Sequence, residues 1–213
     1  MEPIIRLRDV KKVYPLANSE FWALKGISLD IFPGEFLGII GKSGAGKTTL
    51  INTLTGVDHA TSGEIWVDNT PVHQMDENQL ALWRGRKLGI IYQSFYLMPS
   101  LSLLQNIVLP MDFCGLYQGR KSYQRALDLL KQVEMEENAY KLPAQVSGGQ
   151  NQRAAIARAL ANDPSIIVAD EPTGRLDSIT AETIFQVFSS LVDQGKTIVM
   201  SPMIKTWQNG CPG

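Results

Sequence analysis

The sequence predicts an α/β fold with a largely parallel sheet, an antiparallel β part and an inserted helical subdomain. Short apolar segments that resemble strands alternate with segments that resemble helices, which is the pattern of parallel α/β sheets. From about residue 93 to 163 the strand pattern stops, and helical segments are predicted at 103–113, 121–135 and 150–161. The 213 residues fit one compact domain with a lobe inserted into it.

The core elements follow from hydrophobic patterning. Residues 4–8 and 21–32 alternate as half-buried strands do. Pro33-Gly34 predicts a turn, and the consecutive apolar residues 36–40 predict a strand buried on both faces. The remaining predicted elements are a Gly-rich loop at 41–46, a helix from 47 to about 56, and strands near 64–67, 165–169 and 196–200, with a helix at 178–193. We therefore assign residues 1–92 and 164–200 to the core, 93–163 to the helical subdomain and 201–213 to an atypical tail.

Composition and terminal patterning exclude several classes of protein. Lys and Arg number 20 against 21 Asp and Glu, with no long basic block, so we do not expect nucleic acid as a partner. Cys114 and Cys211 are isolated, which favours a reduced cytoplasmic protein. The N-terminus lacks the pattern of a signal peptide, and no apolar run approaches the roughly 18 residues that span a bilayer. Any membrane role is expected to come through a partner.

A phosphate-binding loop is predicted between the strand at 36–40 and the helix that begins at Lys47. The segment reads GKSGAGKT and matches G-x-x-x-x-G-K-[ST] at every fixed position. Its glycines let backbone N–H groups point at phosphates, and the helix N-terminus adds positive charge. We expect Lys47 to neutralise the β- and γ-phosphates of ATP and Thr48 to ligate Mg²⁺. The pattern indicates a P-loop NTPase core, whose predicted nucleotide-binding residues are Gly41, Lys42, Ser43, Gly44, Ala45, Gly46, Lys47, Thr48 and Thr49.

Two acidic residues end the apolar strand of residues 166–169. Open α/β sheets bind their ligands at the carboxyl ends of the strands, which is where Asp170 and Glu171 are expected to lie. Asp170 would hold Mg²⁺ through its water shell, and Glu171 would act as general base for the attacking water. Beside the phosphate loop, the pair predicts nucleotide hydrolysis.

The segment from Val146 to Arg153 reads VSGGQNQR and resembles the L-S-G-G-Q-x-Q-R segment that defines the ABC ATPases, with Val in place of the usual Leu. Ser147 and the two glycines place a hydroxyl and exposed amides at the start of a helix, which is a second anion site. The resemblance implies that this site closes on the γ-phosphate held by a second copy, in a head-to-tail homodimer. The implied nucleotide-binding residues here are Ser147, Gly148, Gly149 and Gln150.

Other positions extend the resemblance from residue 4 to about 200. It implies that Tyr14 stacks on adenine, although a tyrosine packed at a strand end is the alternative. It also implies that Gln93 joins the core to the helical subdomain and contacts Mg²⁺. Leu176-Asp177 matches the family's segment at the dimer seam, where Arg175 replaces an Asn or Ala. The implied cofactors are ATP and Mg²⁺, and the implied metal residues are Thr48, Gln93 and Asp170.

Two stretches, 76–86 and 109–115, look most like the lipoprotein-releasing and macrolide-export branch of the family. That branch pairs with membrane subunits that carry a large extracytoplasmic domain. The resemblance therefore implies a transmembrane permease as partner and a peripheral location on the inner face of the cell membrane. It does not identify the cargo.

The chain departs from the family after residue 200. The family's strand runs into V-T-H-D, and its histidine contacts the γ-phosphate and orients the water and Glu171, whereas here the residues are Ser201-Pro202-Met203-Ile204. Met203 stands at the histidine position, and a thioether cannot donate a hydrogen bond to phosphate. His59 and His73 are not expected to replace it. Residues 205–213 have no strand or helix periodicity, which suggests a truncation or frameshift, or else a natural divergent end.

Three functions are compatible with the sequence. The first is an ATP-hydrolysing subunit that powers a membrane transporter. The second is an ATP-clamped dimer that turns over poorly because the switch histidine is absent. The third is an ABC protein of DNA repair or translation, but those usually carry a coiled-coil insertion or two tandem ATPase units, for which a chain of 213 residues has no room.

Overall fold

The computed structural model describes residues 2–174 and 176–202, which form two sheets and six α-helices in that part of the chain. The strands are β1 (Ile5–Leu16), β2 (Ser19–Ile31), β3 (Phe36–Gly38), β4 (Ser62–Val67), β5 (Thr70–Pro71), β6 (Leu88–Ile91), β7 (Ile166–Asp170) and β8 (Thr197–Ser201). The helices are α1 (Lys47–Leu54), α2 (Glu77–Lys87), α3 (Leu103–Phe113), α4 (Arg120–Gln132), α5 (Gly148–Ala159) and α6 (Ser178–Asp193).

The two sheets differ in strand direction. One contains β2, β1, β4 and β5 in that order and is antiparallel, and the other contains β3, β8, β7 and β6 and is parallel. Each parallel connection is long enough to pass through a helix, as parallel strands require. This arrangement confirms the predicted α/β class with its additional antiparallel part.

The parallel sheet is covered on both faces. Every residue of β7 and β8 is buried, and alternate residues point to opposite sides. Ile166, Val168 and Val199 pack with α1, α2 and the antiparallel sheet, whereas Ile167 and Ile198 pack with α3, α5 and α6. This double burial explains why the sequence of β7 is apolar at consecutive positions.

The segment between β6 and β7 is helical, with α3, α4 and α5 packed on one another. Two of these helices begin with a capping box. Ser102 caps α3 with Gln105, and Ser147 caps α5 with Gln150, so backbone N–H groups that the helix leaves unpaired find partners. The limits of the helical subdomain, 93–163, remain a prediction.

Two features differ from the sequence-based expectations. Helix α2 and strand β6 were not predicted, although Asp76 and Gln79 form a capping box before the buried Leu80 and Trp83. The strand expected at 36–40 is shorter, Phe36–Gly38, and the segment is not buried on both faces, because the side chains of Phe36 and Ile40 are exposed. It lies at the edge of the described parallel sheet. Within the described residues, no helix is long and apolar enough to cross a membrane.

Candidate functional site

The four parallel strands end at one edge of the sheet, and the predicted phosphate-binding and acidic residues follow these ends. The loop 41–46 comes after β3, and Gln93 comes two residues after β6. Asp170 is the last residue of β7 and Ser201 the last of β8, and these two residues are paired in register. Parallel sheets bind ligands at this edge, so the topology itself assembles the candidate site.

The loop before α1 is shaped by glycine. Gly46 caps the helix with φ 88°, and a Cβ built there would lie 2.6 Å from the carbonyl oxygen of Ala23. Gly44 also has a positive φ, 78°, but a Cβ at that position would contact nothing within 4 Å. Gly46 is therefore required both by its backbone conformation and by the close approach of β2.

Lys47 folds back over this loop. Its Nζ donates hydrogen bonds to the carbonyl oxygens of Gly41 at 3.0 Å and Lys42 at 3.3 Å. The ammonium group thus lies on the concave side of the loop, where the amides and the N-terminus of α1 also favour an anion. The arrangement fits a polyphosphate.

An open cleft of about 540 Å³ brings the three predicted metal residues together. Thr48, Gln93 and Asp170 all line it, and the other lining residues are Asn52, Val57, Tyr92, Ser94 and Tyr96. A hydroxyl, an amide oxygen and a carboxylate are the oxygen ligands that Mg²⁺ accepts alongside phosphate and water. In the described part of the chain, no cluster of three His, Cys, Asp or Glu side chains is arranged to hold a metal ion. The cleft therefore suits a magnesium ion whose remaining ligands are phosphate oxygens and water.

A serine hydroxyl lies against the buried Asp170. Ser201 Oγ donates to Asp170 Oδ1 at 2.5 Å and accepts from the backbone N–H of Glu171 at 3.2 Å. The same N–H also donates to the carbonyl oxygen of Ser201 at 2.9 Å. Glu171 adopts a left-handed φ of 46°, a conformation that is uncommon for residues other than glycine. These bonds fix one carboxylate oxygen of Asp170 and the backbone that turns toward Glu171.

Gln93 contacts Glu171 directly. Its Nε2 donates to Glu171 Oε2 at 3.0 Å, a contact across 78 residues of sequence. Arg158 of α5 ties the adjoining segment to the helical part by donating to the carbonyl oxygens of Phe95 and Tyr96. The segment that follows β6 therefore links the acidic pair to the helices.

Tyr14 lies on the antiparallel sheet and is held by two side chains. Its hydroxyl donates to Asp58 Oδ2 at 2.7 Å, and Lys12 Nζ donates to Asp58 Oδ1 at 2.5 Å. Lys12 Nζ is also 4.9 Å from the centroid of the Tyr14 ring. Burial and the hydrogen bond to Asp58 raise the pKa of Tyr14, so the hydroxyl stays protonated and continues to donate. The alternative predicted from sequence was a tyrosine packed at a strand end. Tyr14 is instead half-buried.

The second predicted anion site is separate from this cleft. Ser147 and Gly148 are exposed at the N-terminus of α5, where Ser147 Oγ accepts from the N–H of Gln150 at 3.2 Å. The described residues that line the cleft include none of 147–150. The structure thus places the two anion sites apart within one chain.

The segment predicted at a dimer seam has a local structural role as well. Asp177 caps α6 by accepting from the N–H and the hydroxyl of Thr180 at 2.9 and 2.7 Å. These hydrogen bonds lower the pKa of Asp177. Arg175, Met203 and the tail 205–213 lie outside the described residues. His59 and His73 lie beside Glu77 and the backbone of Ile65, away from the acidic pair.

Sequence reasoning missed Lys12, Asp58 and Ser201 as parts of this arrangement. Lys12 and Tyr14 are two residues apart on a strand and share a face, which is a signal that the sequence does carry. Asp58 and Ser201 contact their partners across 44 and 31 residues, and no local pattern indicates such contacts.

Comparisons with known proteins identify the family of the chain. A family model described as ABC transporter matches residues 24–174. An uncharacterized ABC transporter ATP-binding protein of Thermotoga maritima is 44% identical over 200 residues, which are 94% of this chain and 85% of the relative. The ABC transporter ATP-binding protein MJ0796 of Methanocaldococcus jannaschii, also described as uncharacterized, is 45% identical over 92% of this chain and 86% of its own length.

A longer relative and a solved structure are also similar to this chain. The macrolide export ATP-binding/permease protein MacB of Shigella sonnei is 42% identical over 94% of this chain, which spans only 31% of that protein. The dimeric structure of a post-hydrolysis state of MJ0796 bound to ADP and Pi superposes with a TM-score of 0.89 at 42% identity, covering 95% of this chain and 89% of the other.

Proposed function

The chain belongs to the ABC transporter family of ATP-binding proteins, and on that premise we propose that it binds and hydrolyses ATP to power a membrane permease. Two copies would pair head to tail around two ATP molecules. The main support for this proposal is that Thr48, Gln93 and Asp170 line one cleft, and that Gln93 donates a hydrogen bond to Glu171. On this proposal the metal ligands, the phosphate loop and the general base lie at the same edge of the sheet.

The phosphates would be held by the loop 41–46 and the start of α1. Lys47 would exchange its bonds to the carbonyl oxygens of Gly41 and Lys42 for charge-assisted bonds to the β- and γ-phosphates. Thr48, Gln93 and Asp170 would hold Mg²⁺, which neutralises charge that develops on the phosphates. The base would stack on Tyr14.

The second half of the site would come from a second copy. Ser147, Gly148 and the N-terminus of α5 are exposed and separate from the cleft of their own chain. In a head-to-tail pair they would meet the γ-phosphate of the partner copy, with Gly149 and Gln150 completing the turn. The dimeric state of the MJ0796 cassette supports this assembly.

Glu171 would accept a proton from the attacking water. In this structure Gln93 Nε2 donates to the Glu171 carboxylate, and Gln93 Oε1 would be the atom that ligates Mg²⁺. The left-handed backbone at Glu171 and the two bonds from its N–H to Ser201 fix the main chain at this residue. On this proposal Glu171 acts as general base and Asp170 as a metal ligand.

The permease would dock on a groove between α2 and α3. This groove has a volume of about 530 Å³, and its lining includes Leu82 and Phe113, both exposed apolar side chains. Exposed apolar surface of this kind marks a protein contact. The MacB relative is described as an ATP-binding/permease protein, which supports a permease partner and a peripheral location on the inner face of the membrane.

Steady-state ATPase activity of the purified chain tests the proposal. We expect Mg²⁺-dependent turnover that falls at least about a hundredfold in the Glu171→Gln variant, because the general base is lost. The variant should still bind ATP, since its carboxamide leaves the phosphate loop intact. Turnover of the unmodified chain no greater than that of Glu171→Gln would contradict hydrolysis.

One observation favours a second candidate, an ATP-bound dimer that hydrolyses slowly. Met203 stands where the family has the histidine that orients the water and Glu171. Under this alternative, ATP binding and pairing of two copies persist while turnover equals that of Glu171→Gln. The same assay, combined with a measurement of ATP binding, separates the two functions.

A further inference from the structure

We infer that Lys12 and Asp58 are positioning residues for the nucleotide base, and that they act by holding the ring of Tyr14 in place. The inference rests on the proposed function, in which this ring stacks on the base. Neither residue belongs to the phosphate loop, because Lys12 lies on β1 and Asp58 follows the C-terminal end of α1.

The first argument is that the ring is held at both its edge and one face. At the edge, the Tyr14 hydroxyl donates to Asp58 at 2.7 Å. On one face, Lys12 Nζ lies 4.9 Å from the ring centroid, within the range of a cation–π contact. The opposite face is then the one available to a base. Rotation of the ring about its own long axis would break the contact with Lys12, and a swing of the whole side chain would break the hydrogen bond to Asp58.

The second argument is that Lys12 and Asp58 are themselves fixed. The side chain of Lys12 is only 12% exposed, and its Nζ also donates to the carbonyl oxygen of His59 at 2.7 Å. Burial would raise the pKa of Asp58, but the hydrogen bonds from Lys12 and Tyr14 outweigh it and the pKa lies below its ordinary value. Asp58 therefore remains an anion that accepts from both partners.

Asp58 is also tied by its backbone to the helix that begins with Lys47. The N–H of Asp58 donates to the carbonyl oxygen of Asn52 in α1 at 3.1 Å, and α1 begins with Lys47. Thr61 clamps the next part of the segment to β1, because its N–H donates to Lys11 and its hydroxyl accepts from the N–H of Val13. Asp58 thus connects helix α1 to the strand that carries Tyr14.

The test compares two ligands that share the phosphates and differ in the base. Dissociation constants for Mg·ATP and for magnesium tripolyphosphate are measured by calorimetry on the full chain. We expect Lys12→Met, Asp58→Ala and Tyr14→Phe each to weaken ATP binding about five- to tenfold, the worth of one or two hydrogen bonds. Tripolyphosphate binding should change less than about twofold, since the loop 41–46 and Lys47 are left unaltered.

A double-mutant cycle distinguishes positioning from a general structural effect. In a Tyr14→Ala background, adding Lys12→Met or Asp58→Ala should leave ATP binding unchanged, because the ring on which they act is gone. Asp58→Asn, which keeps an acceptor for the Tyr14 hydroxyl, should lose less affinity than Asp58→Ala. Thermal melts of each variant establish that it is folded.

Several results would overturn the inference. Equal losses for ATP and tripolyphosphate, further loss on the Tyr14→Ala background, or unchanged ATP binding in Lys12→Met and Asp58→Ala would each do so. If Tyr14→Ala weakens ATP binding while Lys12→Met and Asp58→Ala do not, the proposed stacking stands and only the positioning role fails. If Tyr14→Ala itself leaves ATP binding unchanged, base stacking on Tyr14 fails and the inference fails with it.

Discussion

The proposed phosphate end of the site, loop 41–46 with the N-terminus of α1, is built largely from backbone. The proposed base end, Tyr14 with Lys12 and Asp58, is built from side chains. At the phosphate end, loop 41–46 and the N-terminus of α1 present amides, and one lysine folds over them. At the base end, Asp58 accepts from Tyr14 and Lys12 across 44 and 46 residues of sequence. The phosphate end is formed by residues that are close together in the sequence. The base end depends on tertiary contacts, which single substitutions can remove one at a time.

The largest expected effect is at the phosphate end. Lys47→Ala removes the ammonium group that lies over the loop, and we expect the affinities for ATP and for tripolyphosphate both to fall at least about a hundredfold, the worth of two charge-assisted hydrogen bonds. Calorimetry measures both ligands. Lys25→Ala, an exposed lysine on β2, is the control and should bind as the unmodified chain does. A loss confined to ATP would contradict the division between the two ends.

A second prediction uses two glycines of the same loop. Gly46→Ala should lower the free energy of unfolding by about 3 kcal/mol, because the new Cβ meets the Ala23 carbonyl oxygen at a positive φ. Gly44→Ala has a similar φ but meets nothing, so we expect a loss of only about 1 kcal/mol. Urea unfolding without nucleotide gives both values. Equal losses would show that the close approach of β2 does not constrain the loop.

A third prediction concerns the hydrogen bond between Ser201 and Asp170, a side-chain contact beside the phosphate loop. Ser201→Ala removes the hydrogen bond to the buried Asp170 carboxylate, and we expect a loss of about 2 kcal/mol in the free energy of unfolding. Ser100→Ala, at an exposed loop position, should change stability by less than about 0.5 kcal/mol. If both substitutions have the same effect in urea unfolding, the Ser201 contact does not stabilise this end.

The smallest expected effect is the pH dependence of the base end. The pKa of Asp58 is lowered in the folded chain, so its contribution to stability is complete above its unfolded pKa of about 3.9 and is lost as the pH falls through the lower folded value. The stability difference between the unmodified chain and Asp58→Asn should therefore be constant above about pH 5 and shrink below about pH 4. Urea midpoints measured from pH 3 to 7 test this, and a difference that grows toward acid would reverse the sign.

The contrast between the two ends also explains what the sequence could predict. The phosphate loop, Asp170 and Ser147 lie in short motifs whose spacing places them beside strands and helices, and the helices 103–113 and 178–193 have strong patterns. Helix α2 was missed because its apolar positions are few, with only Leu80 and Trp83 buried. The edge position of β3 depends on how strands are ordered in the sheet, which hydrophobic runs do not indicate. The bonds to Asp58 and Ser201 were missed because both partners come together only when the chain folds.

The central claim is that ATP is held between the phosphate loop of one copy and the Ser147 segment of another. Sedimentation velocity of the Glu171→Gln variant tests it, because this variant is expected to bind ATP without consuming it. We predict a monomer without nucleotide and a dimer with saturating Mg·ATP. Gly148→Asp, introduced into the same variant, should bind ATP yet remain monomeric, since a carboxylate would face the γ-phosphate. A Glu171→Gln chain that stays monomeric at ATP saturation, or a Gly148→Asp chain that pairs equally well, would contradict the account.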